Sequence, residues 1–101
     1  MQDPFLSTGR FSTAKGRAYM TQLCKHFGHK VPAEVEGDRG RVEFPTGMAR
    51  MQADDHALIV ELTGADAETV QRLQGVIDSH LERFAFREDF TNMDWTAPAA
   101  A

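Results

Sequence analysis

The chain has 101 residues, a formal net charge of −4, 42% hydrophobic and 26% charged residues, the size and make-up of one ordinary globular domain, which excludes wholesale disorder and a fibrous architecture. No apolar run approaches the ~20 residues that span a bilayer. The acidic balance argues against broad nucleic-acid binding, which draws on many Lys and Arg contacts to phosphate.

The expectation is therefore a single domain over 1–101, with an ordered core over about 7–95, a frayed tail from Thr96 to Ala101, and neither a membrane nor a nucleic-acid partner. Met1 to Leu6 contains Asp3 and Pro4 and lacks a basic segment followed by an apolar one, so it does not read as a secretory signal; a cytoplasmic chain is the expectation. The lone Cys24 cannot form an intramolecular disulfide and reads as a small core residue. Charge is lopsided: between Pro4 and Ala33 lie Arg10, Lys15, Arg17, Lys25 and Lys30 with no acid, while 14 of the 15 carboxylates lie from Glu34 onward.

In chain order, Ser7 to Ser12 predicts a short edge strand leading into a first helix capped by Ser12 or Thr13. Gly16, Met20, Leu23, Cys24 and Phe27 recur at three- and four-residue spacing and form that helix's core stripe, with Lys15, Arg17, Gln22 and Lys25 facing elsewhere. Gly28 predicts a left-handed stop and Pro32 blocks continuation, so His29 and Lys30 fall just past the helix. Ala33 to Glu36, Arg41 to Phe44, Met48 to Ala53 and Ala57 to Thr63 alternate with period two and read as an antiparallel meander. Its turns are supplied by Gly37 to Gly40, Pro45 to Gly47 and Asp54-Asp55.

A second helix starts at the cap Asp66, with Val70, Leu73, Ile77, Leu81 and Phe84 as its apolar stripe, Val76 and His80 at the edge, and Gln71, Arg72, Asp78 and Glu82 facing water. Phe90 to Trp95 predicts an edge strand or an arm. The fold class that follows is α+β: a two-layer sandwich, an antiparallel sheet of four or five strands covered by two helices.

The strings Leu23-Cys24-Lys25-His26-Phe27-Gly28-His29-Lys30, Phe44-Pro45-Thr46-Gly47 and Leu73 to Arg87, in matching order over about Ser7 to Trp95, resemble a bacterial group of small proteins, domain-of-unknown-function family 2218. The resemblance implies a compact α+β domain, standing alone or joined in some relatives to siderophore-interacting flavin-dependent reductases, hence a link to iron acquisition and a reductase partner. It brings no catalytic residue set and no cofactor.

For chemistry, Cys24-x-His26-x-x-His29 carries metal-ligand residue types, but Cys24 and His26 stand about 200° apart on a helix and Gly28 displaces His29, so no metal site is expected. His80 can approach His26 if the two helices lie side by side on one face of the sheet. Two imidazoles there could bind a metal or haem iron, or hydrogen-bond an anionic ligand, with Lys30 and Arg83 at hand for carboxylates or phosphates. The candidate ligand-binding residues are Lys25, His26, His29, Lys30, His80 and Arg83.

There is no G-x-S-x-G elbow, H-E-x-x-H helix or P-loop. Ser79 and His80 diverge as neighbours on a helix, and Asp54-Asp55 read as turn formers, so a small enzyme with His26 or His80 as general base is the weakest alternative. The sequence thus points to an accessory binding domain for an anionic small ligand or a reductase partner. A structural homodimer or docking module is the alternative, suggested by the late aromatics Phe84, Phe86, Phe90 and Trp95.

Overall fold

A computed structural model describes residues 4–100. Met1 to Asp3, which entered the reading of the chain's start, and Ala101 of the tail lie outside the described residues. The chain runs β1 (Phe5–Ser12), α1 (Gly16–Phe27), β2 (Ala33–Glu36), β3 (Arg39–Phe44), β4 (Gly47–Ala53), β5 (Ala57–Gly64), α2 (Ala67–Phe84), a short 3₁₀ turn (Phe86–Glu88), β6 (Asp94–Trp95) and β7 (Ala99–Ala100).

The α+β two-layer expectation holds, with more strands than expected: seven among the described residues, in the order β2-β3-β4-β5-β1-β6, with β7 also pairing β1. The four-strand meander forms as its alternation dictates. Leu58, Val60 and Leu62 of β5 align with Ala53, Met51 and Ala49 of β4, all facing the helices. β1 is not an edge strand. It pairs along its full length with β5 (Phe5↔Gly64 to Ser12↔Ala57) and gives its other side to β6 and β7. The actual free edge at the meander's far end, β2, carries Glu34 and Glu36, a charge pattern that discourages edge-to-edge pairing.

Both helices lie on one face of the sheet: α1 over β2 to β5, α2 over β1, β4 and β5, touching each other along the way. Met20, Leu23, Cys24 and Phe27 from α1 meet Val70, Leu73, Ile77 and Leu81 from α2 over the inward residues of the sheet in one apolar cluster. Asp66 caps α2 as expected, its Oδ1 accepting from Thr69 N at 2.8 Å. This lowers the Asp66 pKa, chiefly through that backbone hydrogen bond.

Two boundaries differ from the sequence reading. α1 starts at Gly16 after Lys15, two or three residues later than a Thr13 or Ser12 cap implies. Thr13 is instead buried, its Oγ1 accepting from Lys15 N and donating to Glu88 Oε1, so its hydroxyl serves a tertiary contact. At the other end Gly28 has φ −61°, a right-handed conformation, and its N–H donates to Cys24 O. The stop comes from the turn through Lys30 and Val31, whose N–H groups both reach back to Phe27 O ahead of Pro32.

The largest departure concerns Asp78, placed by helical period among the water-facing residues. Its carboxylate accepts from Met93 N at 2.9 Å and from Trp95 Nε1 at 3.0 Å, and partial burial raises its pKa. The C-terminal segment crosses over α2 here, burying Met93 and Phe90. It then runs back along β1, where Thr96 N donates to Thr8 O and Ser7 Oγ donates to Thr96 O. Ala99 pairs with Leu6, in the stretch read as a frayed tail. Gly9 admits this return: a Cβ there would lie 2.6 Å from the Trp95 ring.

Asp78→Ala leaves the Met93 and Trp95 N–H groups without their acceptor, a loss of about 1–3 kcal/mol. Urea unfolding followed by Trp95 fluorescence should show that loss together with a red-shifted native emission, and an unchanged midpoint and spectrum would contradict the assigned role.

Candidate functional site

α1 turns Phe27 into the core and so directs the preceding residue, His26, sideways toward α2. On α2, His80 lies three residues after Ile77 and one before Leu81, at the rim of the buried stripe, where it faces α1. The two imidazole centroids are 4.7 Å apart, tilted by 54°. Phe27 lies 4.8 Å from His80, Phe84 lies 6.1 Å from His26 and 6.3 Å from His80, and Phe44 of β3 stands 5.0 Å edge-on to Phe27. An aromatic cluster therefore joins the two helices to the sheet.

Beside it opens a hollow of about 350 Å³ lined by His26, Phe27, His29, Lys30, Val31, Phe44 and His80. Phe27 is buried and Val31, Phe44 and His80 half-buried, while His26, His29 and Lys30 are exposed, so an apolar floor carries a basic rim. A slightly larger hollow of about 420 Å³ around Thr46 and Gly64 has Glu43 as its charged residue. Another of about 350 Å³ on the open sheet face has Arg39, Arg41 and Arg50 beside Glu61, with Arg41 tied to Glu34 at 2.6 Å. Of these three hollows, the one between the helix ends combines titratable rings, cations and an apolar floor without a carboxylate in its lining.

The proton positions on His80 follow from its partner. Nδ1 lies 2.7 Å from Val76 O, a carbonyl that can only accept, so Nδ1 carries a proton and Nε2 keeps a lone pair while the ring is neutral. The His26 pKa is lowered from the usual histidine value: desolvation is the largest cause, followed by the charges of His80, His29, Lys30 and Arg83.

Of the six expected site residues, four line the hollow: His26, His29, Lys30 and His80. Arg83 is outside the lining but its charge reaches His26, and Lys25 is exposed outside it. Cys24 is buried against β3, where a Cβ built on Gly40 would lie 2.9 Å from its Sγ, and burial raises its thiol pKa. It does not face the space beside His26. Among the described residues no three His, Cys, Asp or Glu side chains gather closely enough to hold a metal ion.

The sequence reading missed Val31 and Phe44 as lining residues. An apolar residue in a turn directly after a basic helix end, and an inward strand residue directly before Pro45, are the signals that mark them. The charges of the basic segment are partly used inside the fold: Arg17 reaches Asp38 at 2.7 Å and Asp55 at 2.6 Å. Among the described residues Lys25 and Lys30 form no ion pair. The late aromatics are mostly absorbed by their own chain. Phe90 is buried, Phe84 and Trp95 half-buried, and Phe86 is 65% exposed.

The chain belongs to the bacterial family described as an uncharacterized protein conserved in bacteria (DUF2218), which matches residues 8–96. It is similar to PA4090 from Pseudomonas aeruginosa, solved by NMR, at 29% identity and a TM-score of 0.77, covering 91% of this chain and 95% of that one. No curated protein matches it. Among the described residues no helix is long and apolar enough to cross a membrane.

Because the His26 pKa is lowered on folding, the unfolded chain binds more protons between the folded value and the usual ~6.5. This group's contribution to stability therefore falls as pH drops through about 6.5 toward the folded value, and levels off below it. Proton NMR should show the His26 ring titrating below a free imidazole, and His80→Ala should move it upward. An unshifted His26 that ignores His80→Ala would refute the coupling between the rings.

Proposed function

We propose that the domain binds a small anionic ligand with an apolar body in the hollow between the ends of α1 and α2. The observation that carries this reading is the His26–His80 pair, 4.7 Å apart, at the wall of a hollow with an apolar floor. Phe27, Val31 and Phe44 offer apolar contact, while Lys30, His29 and the more distant Arg83 set a positive potential that favours an anion over a free metal cation. A ring N–H of His26 supplies directional hydrogen bonding, and His80 packs its ring against the same space. No step of bond-making is required by this arrangement. The implied link to siderophore-interacting reductases suggests ferric siderophores and haem as ligands to try, and it rests on the family resemblance alone. The docking-module alternative retains Phe86, with Arg87 over its ring at 5.6 Å, as its exposed aromatic.

The test is a heteronuclear NMR titration with aromatic carboxylates, haem, a ferric siderophore and divalent metals. Shifts confined to His26 to Val31, Phe44 and His80, and abolished by Val31→Trp, are the expected result. No response to any of the panel at millimolar concentration, or shifts centred elsewhere, would overturn the reading. For the docking alternative, sedimentation of a strict monomer unaffected by Phe86→Ser would remove its support.

A further inference from the structure

Resting on that reading, we infer that the hollow captures its anion together with a proton, which settles on His26. The argument begins with what faces that ring. α1 and the turn after it contribute His29 and Lys30, α2 contributes His80 and Arg83, and β3 contributes the uncharged Phe44. No carboxylate lines the hollow. In the empty site a protonated His26 has only like-signed or neutral neighbours, so the ring stays neutral to lower pH than a free imidazole, in line with its lowered pKa.

An incoming anionic head group reverses that balance. It is the one negative charge in the hollow, it neutralises the repulsion from Lys30, and it accepts from an N–H of the imidazolium. The proton is assigned to His26 rather than His80 on placement: His26 is exposed at the rim, where its ring can turn an N–H toward the head group, whereas His80 is half-buried with its orientation fixed by Val76 O. The proton comes from solvent and no covalent bond breaks, so uptake and release are reversible. By linkage the affinity for the anion rises as pH falls, while the affinity for an uncharged molecule of the same shape does not.

The probe is anilinonaphthalene sulfonate, an apolar body whose acid does not titrate in this range, compared with uncharged N-phenylnaphthylamine on the folded full chain at about pH 5.5 and about pH 8. The sulfonate should bind about tenfold more tightly at the lower pH, which corresponds to about one unit between the free and bound His26 pKa, and the uncharged probe equally at both. His26→Gln should abolish the pH dependence and His80→Gln should keep it. Calorimetry in buffers of different ionisation enthalpy should register proton uptake with the sulfonate alone. A sulfonate that binds in the hollow with the same affinity at both pH values, or a pH dependence that survives His26→Gln, overturns the inference while leaving the site intact. Neither probe perturbing the His26 and His80 signals would instead remove the underlying reading.

Discussion

α1 lies close against the sheet at two points along its path. At its first residue, Gly16, a Cβ would lie 2.8 Å from Ala57 O, and where Cys24 crosses β3 a Cβ on Gly40 would meet its Sγ at 2.9 Å. These two close approaches fix the height of the helix, because backbone and core atoms cannot give way as a flexible side chain can. The rest of the site inherits that height. A helix held low turns Phe27 fully inward and brings His26, one residue earlier, level with the rim of α2, where His80 stands. Had either glycine carried a side chain, α1 would ride up and the imidazoles would separate.

The charges then sort themselves along the same helix. Arg17, in the first turn, reaches both Asp38 in the β2–β3 turn and Asp55 in the β4–β5 turn. These are exposed contacts, with side-chain accessibilities of 45% to 81%, so they contribute little stability and act more as tethers of two turns to one helix. The helix's other end keeps its cations. Lys25 in the last turn complements the negative end of the helix dipole, and Lys30 follows in the turn. Of the five cations in this basic run, Arg17 alone forms ion pairs among the described residues, and Lys30, at the other end, lines the hollow.

Much of this was legible residue by residue. Period-two alternation located the meander because one face of each strand is buried, and Asp66 announced α2 because a carboxylate at that position answers unpaired amides. What local pattern could not reveal was set by chain return. Asp78 lies on the polar side of α2 by period, yet the C-terminal segment crosses there and supplies Met93 N and Trp95 Nε1 as donors. Neither residue carries a periodic signal, since the segment makes only two-residue strands against β1. The His26–His80 pair was readable only as a condition: helical period puts both at stripe edges, but whether those edges face each other depends on both helices sharing one face of the sheet.

That condition also decides what kind of ligand the hollow suits. Two close imidazoles are equally at home around a metal cation or beside an anion, and residue identity does not separate the cases. The surroundings do. A metal ion would need further anionic or neutral donors, yet the lining supplies aromatic rings, Val31 and Lys30, and the thiol that the sequence places nearby is folded under β3. A cation entering there meets a positive field over an apolar floor, where the energetic cost of an unmatched charge is largest. An anion meets the opposite: a field that attracts it, N–H donors at the rim and apolar contact beneath. The close seating of α1 on Gly16 and Gly40 therefore has a chemical consequence, because burying Cys24 while exposing His26 takes away the soft ligand and leaves an imidazole that an anion can bring to protonation.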